Sequence, residues 1–145
     1  HISIIQEARK RKIKTKVIHS ASVFDAVAET GLQLYKFGRI ASMPSFSANS
    51  YMDIVKQNLS VKAHSLILID VDLGFQDALN RLDGDCSKKN IKLDKIIVCE
   101  RLGLQNSHTY YDTTNRLRYL KIKAPFCIII PSELHFVERE FLNSI

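Results

Sequence analysis

Apolar positions along this chain fall into two alternating rhythms. Ser65–Val71 (SLILIDV), Lys95–Arg101 (KIIVCER) and Phe126–Ile130 (FCIII) are short, nearly unbroken apolar runs of strand length. Such runs fit strands covered on both faces. Lys16–His19 and Arg39–Met43 read as shorter strands, and His108–Asp112 as a more polar one. Between them the apolar spacing widens to a helical period. The chain is already helical over its opening residues to Ala8, and Ser20-Ala21-Ser22 caps a helix over Val23–Tyr35. Ser50 caps Tyr51–Leu59 after the loop Pro44–Ser50, and the turn Asp83-Gly84-Asp85 closes Phe75–Leu82. Thr114–Leu120 and Leu134–Leu142 complete the helices. Strands alternating with helices predict an α/β sandwich around a largely parallel or mixed sheet.

A chain of 145 residues, 46% hydrophobic and 25% charged, has the size and composition of one globular domain with a real core. No run approaches membrane-span length, so no membrane association is expected. The net charge of +6 raises nucleic acid as a partner, with Arg9–Lys16 as the densest basic run. No aromatic residues interleave with that run, so a base-stacking platform is missing and no direct nucleic-acid contact is expected. Cationic residues closing a helix complement its dipole instead. Cys86, Cys99 and Cys127 are odd in number and lack CxxC spacing. That disfavours a disulfide framework or structural zinc and fits a reducing cytoplasm. The chain opens without Met or a helix cap and without signal-peptide features, so an upstream portion is expected to be missing.

Candidate chemistry is sparse. The histidines share no metal-ligand spacing, so no metal site is expected, and no dinucleotide loop, phosphate loop or nucleophile elbow occurs. His19, Asp70 and His135 lie at or just beyond strand ends, where α/β sheets place ligands, but each also suits a turn or structural role. Residue types and spacing alone stop at an α/β domain, with a non-catalytic binding module left open.

Three blocks go further. Val17–Val27 (VIHSASVFDAV) followed by Gly31–Gly38 (GLQLYKFG), His64–Asp70 (HSLILID) and Ile128–Glu138 (IIIPSELHFVE) together resemble the signature segments of diphthine synthases, in order and spacing. Those enzymes are methyltransferases of the tetrapyrrole methylase superfamily. The resemblance implies a tetrapyrrole methylase-like α/β fold, a mixed sheet sandwiched by helices. Residues 1–37 would be the end of an N-terminal domain and residues 38–145 the C-terminal domain. It implies S-adenosylmethionine as methyl donor and S-adenosylhomocysteine as product. The substrate would be the modified histidine, the diphthamide precursor, of translation elongation factor 2, and the enzyme a cytoplasmic homodimer.

Carried over by position, the cofactor contacts would be Ser22 and Val23 at a helix start, Ile69 at a strand end, Leu102 after the VCER strand and Phe126 before the IIIP strand. Most would act through backbone groups. The family's glycine-rich and GDP-type loops would lie upstream, leaving this chain a fragment with part of the cofactor site. No catalytic residue is assigned, although His135 and Tyr35 are placed to orient a substrate. Another methyltransferase of the same superfamily is the nearest alternative.

Overall fold

The computed structural model describes residues 2–18 and 22–145. Five strands form one sheet: β1 (Ala41–Met43), β2 (Ser65–Ile69), β3 (Lys95–Glu100), β4 (His108–Thr113) and β5 (Phe126–Ile130). Their order is β1-β2-β5-β3-β4. Only β1 and β2 run parallel; β5 is antiparallel to both β2 and β3, and β3 to β4. The sheet is therefore mixed rather than largely parallel. The last strand inserts between two earlier ones and runs against both, whichever way the chain reached it.

The unbroken apolar runs are explained by cover on both faces. Alternation along β2, β3 and β5 sends Ile67, Ile96, Val98, Ile128 and Ile130 to one side. There they meet Met52 and Val55 of α3 (Tyr51–Ser60) and Leu79 and Leu82 of α4 (Phe75–Lys88). Leu66, Ile97, Cys99, Cys127 and Ile129 go to the other side, against Val27, Leu32 and Leu142. Fully burying each such aliphatic side chain contributes about 1.5–3 kcal/mol. The three central strands are thus the energetic spine, and their ends set where loops emerge.

Several elements depart from the sequence reading. The helix expected over Val23–Tyr35 is broken into α2 (Val23–Ala26), a 3-10 turn over Val27–Thr30 and a second over Leu34–Lys36. Gly31, with φ of 73°, ends the first turn in the left-handed region, and the Thr30 hydroxyl donates to Val27 O at 2.7 Å. A threonine bonding back to the backbone and a glycine next to it are a stop signal. In α4 the opposite happens. The helix runs through Asp83-Gly84-Asp85 because its apolar stripe Ala78, Leu79, Leu82 and Cys86 continues into the core, and the Asp85 carboxylate accepts from Tyr51 Oη at 3.0 Å.

Ser50 is itself in the helical region and makes no side-chain cap. The helix expected over Thr114–Leu120 is the short α5 (Thr114–Leu117). The last helix, α6, begins only at Phe136 and ends at Leu142. At the start of the chain α1 (Ile2–Lys10) buries no residue. Lys16–Ile18 join no strand, and Val17 and Ile18 are exposed; His19, Ser20 and Ala21 lie outside the described residues.

Gly31 offers a direct test of this turn. A Cβ there would collide with the Phe141 ring while φ stays positive, so both sterics and backbone strain oppose it. Gly31→Ala is expected to lower stability by about 1–3 kcal/mol, read as a lower urea midpoint with unchanged slope.

Candidate functional site

At the end of the sheet where β2 and β3 finish and β5 starts, the chain leaves a trough of about 380 Å³ under the start of α2. It is bordered by all five residues to which the family resemblance assigned cofactor contacts: Ser22, Val23, Ile69, Leu102 and Phe126.

Each arrives there for a local reason. Ser22 is the extended N-cap of α2, and its hydroxyl accepts from the Phe24 N–H at 3.3 Å, which places Val23 in the first turn facing the sheet. Ile69 is the last residue of β2, paired with Met43 of β1. Leu102 sits between Arg101 (φ 53°) and Gly103 (φ 79°), two left-handed residues that turn the chain sharply as β3 ends. The Arg101 N–H donates to Pro125 O at 2.9 Å, tying this turn to the entry of β5. Phe126 opens β5, but its ring goes to the other face, edge-on to Phe75 at 5.5 Å. What Phe126 presents to the trough is therefore chiefly backbone.

Cys99 and Cys127 lie directly opposite each other in the β3–β5 register and line the trough from the sheet side. Contact with the Cys127 sulfur and burial push the Cys99 thiol well above its ordinary pKa. On the far face, burial pushes Cys86 up to about 12, with Asp83 and Asp85 adding to the effect. Both shifts disfavour the thiolate near neutrality, so neither thiol is set up as a nucleophile. Native protein at neutral pH is expected to keep Cys86 and Cys99 unmodified by iodoacetamide, and denatured protein to alkylate them; mass analysis of the peptides reads this.

Apart from those thiols the trough has no ionisable lining among the described residues. It offers shape, apolar contact and main-chain polar groups, which suits holding a small amphipathic molecule. Among the described residues it offers no general base and no ligand set for a cation. Among the described residues no cluster of three His, Cys, Asp or Glu is arranged to hold a metal.

Asp70, next to Ile69, turns out to organise a loop. Its Oδ2 accepts from Ser45 N–H and Ser45 Oγ–H, each at 3.2 Å, and backbone N–H groups of Ser45 and Asp72 hold its carboxyl below the ordinary range. From the other side the Arg81 guanidinium donates to the carbonyls of Pro44, Ser45 and Phe46. The loop after β1 is thus clamped from both sides, by Asp70 and by Arg81. Sequence reading missed Arg81, because an arginine within a helix looks like ordinary solvated surface.

His135 and Tyr35 are not at the trough. His135 caps α6, its N–H donating to Glu138 Oε2 at 2.7 Å, and Tyr35 is exposed, donating to Gln33 Oε1 at 2.6 Å. Both surround a buried polar cluster that residue spacing did not reveal. Glu138 is fully buried, and its oxygens accept from Lys36 Nζ at 2.6 Å and the Gln33 N–H at 2.9 Å. His64, also fully buried, accepts at Nδ1 from the Ser132 N–H at 2.9 Å. That fixes the proton on Nε2, which stands 3.2 Å from Glu138 Oε1 and donates to it. Burial lowers the His64 pKa, so the ring is a neutral brace.

Against known proteins, no protein-family model matches the chain. Curated diphthine synthases do. That of Methanococcus maripaludis is 33% identical, aligned with 99% of this chain and 62% of its own length. That of Methanothermobacter thermautotrophicus is 30% identical, with coverages of 100% and 61%. The chain therefore spans about three-fifths of the length of these relatives. A crystal structure of a diphthine synthase superposes with a TM-score of 0.89 at 27% identity, covering 99% of this chain and 59% of that one.

Proposed function

We propose that this chain, homologous over its whole length to the diphthine synthases, carries the C-terminal domain of a methyltransferase of diphthamide biosynthesis, and that its trough receives S-adenosylmethionine. In this reading residues 1–37 belong to the end of an N-terminal domain and residues 38–145 form the C-terminal one. The substrate is translation elongation factor 2 bearing the modified histidine, and the working form is a cytoplasmic homodimer. The observation that carries the reading is spatial. Five positions taken from a sequence resemblance, scattered from Ser22 to Phe126, border one neutral trough at one end of the sheet.

The lining suits the cofactor. S-adenosylmethionine supplies an activated methyl group on a cationic sulfur, and a lining without ammonium or guanidinium groups does not repel it. Main-chain groups near Ile69, Leu102 and Phe126 would hold the adenosyl and amino-acid ends, while Val23 and Leu102 exclude water. The chain's remaining task is alignment of a neutral amine with the methyl group, which needs neither a metal nor a covalent nucleophile.

The test is transfer of labelled methyl from S-adenosylmethionine to elongation factor 2 carrying the diphthamide precursor. It is run with this chain and with the chain joined to the part of a relative's length outside the aligned span. Labelling by the joined protein, lost when the trough is filled, supports the proposal. No labelling of a substrate that an authentic diphthine synthase labels defeats it and favours a non-catalytic module or a different methyltransferase.

A further inference from the structure

The opposite end of the sheet holds a larger concavity that the proposed methyltransferase does not use. It is a cleft of about 530 Å³, formed where β3 begins, β5 ends and α6 crosses. Its floor is apolar, from Leu59, Leu93, Ile130 and Leu134, and its rim carries Lys92, Lys95 and Arg139.

The charges there are unbalanced in a particular way. Two carboxylates, Asp94 and Glu133, also border the cleft, but Glu133 is committed to Lys62 at 2.8 Å. Among the described residues none of Lys92, Lys95 and Arg139 forms an ion pair. The chain pairs cations elsewhere, as with Lys36–Glu138, Lys89–Asp53 and Arg118–Asp83. Three cations against one uncommitted carboxylate, Asp94, leave the cleft net positive, and an anion bound between the cations relieves their mutual repulsion. Lys95 Nζ lies 4.8 Å from the centre of the Tyr111 ring, so an aromatic face borders the cationic rim.

We propose that this cleft is a second ligand site, for an amphipathic organic phosphate of the nucleoside phosphate class. The phosphate would lie on Lys92, Lys95 and Arg139, and the apolar moiety on the floor beside Tyr111. Phosphate fits the cationic rim, a planar apolar group fits the floor, and the volume is in the ordinary range of small-molecule sites of about 300–1,000 Å³. The site lies across the sheet from the trough and stands whether or not the trough takes S-adenosylmethionine.

Titration with ADP, followed by backbone amide resonances, tests it, with adenosine and inorganic pyrophosphate as separate arms. ADP at millimolar concentration is expected to shift the amides of Lys95, Tyr111 and Arg139, and to bind more tightly than either half alone. Arg139→Gln, and separately the exposed-loop change Lys92→Gln, are each expected to weaken ADP binding at least threefold without altering the unliganded spectrum elsewhere. Shifts confined to the Arg9–Lys16 run or to the trough, equal binding by adenosine, or undiminished binding by the Lys92→Gln protein would each overturn the assignment.

Discussion

Glu138→Ala is expected to lower the unfolding free energy by about 3–5 kcal/mol, the usual cost of removing one partner from a buried charged cluster. The carboxylate is fully buried and serves four donors at once: Lys36, His64 and the N–H groups of Gln33 and His135. Its loss leaves the His64 imidazole N–H without an acceptor and the Lys36 ammonium with only the Glu133 carbonyl, and it removes the cap of α6. Glu138→Gln keeps the shape and part of the hydrogen bonding, so it should lose less.

Acid sensitivity follows from the same cluster. Burial alone would raise the Glu138 pKa, but hydrogen bonds from Lys36 and from the Gln33 and His135 N–H groups outweigh it and bring it from 4.5 down to about 2. A depressed carboxyl contributes stability above its unfolded value of 4.5, and that contribution is lost as pH falls from 4.5 towards 2. His64 acts in the same direction. Its lowered pKa means the unfolded chain takes up a proton more readily below 6.5, so stability begins to decline there. Thermal midpoints measured from pH 7 down to acid should therefore fall, with the steepest part below 4.5 in the native protein and a shallower limb in Glu138→Gln. A native profile as shallow as that of the variant would refute the assignment.

The second large effect concerns ligand binding. Ala26, the last residue of α2, lines the trough, with its Cβ within ordinary contact of the space above Gly103. Ala26→Phe would place a ring between α2 and the 101–103 turn, filling the volume proposed for the cofactor. The expected result is a loss of S-adenosylhomocysteine affinity of at least tenfold, or about 1.4 kcal/mol. Ala26 is only partly buried, so the thermal midpoint should move little. Isothermal titration calorimetry alongside a melting curve separates this from unfolding. Binding retained in a folded Ala26→Phe protein would remove the trough from consideration.

The central strands were legible in the sequence because two-sided burial leaves an unmistakable mark: Leu66–Ile69, Ile96–Cys99 and Phe126–Ile130 have no polar alternate to show solvent. Their pairing was not legible. Nothing local in FCIII says that β5 will enter between β2 and β3 and run against both. The helix breaks were misplaced for the same kind of reason. Gly84 in α4 is tolerated because the flanking stripe of Leu79, Leu82 and Cys86 is anchored in the core, whereas Gly31 ends its turn because φ there is positive.

For the site, the positions came from resemblance rather than from chemistry. A trough built from backbone and aliphatic side chains has no spacing signature of its own. The polar residues that stood out, His135 and Asp70, hold a helix cap and a loop, and the Lys36–His64–Glu138 cluster joins residues far apart in sequence.

The measurement that bears most directly on the central claim is an S-adenosylhomocysteine titration of this chain followed through its backbone amide resonances. The account predicts that the largest shifts map to Ser22, Val23, Ile69, Leu102 and Phe126 around one trough. Saturating ligand that leaves those amides unmoved, or moves instead those around the Lys95–Arg139 cleft, would contradict it.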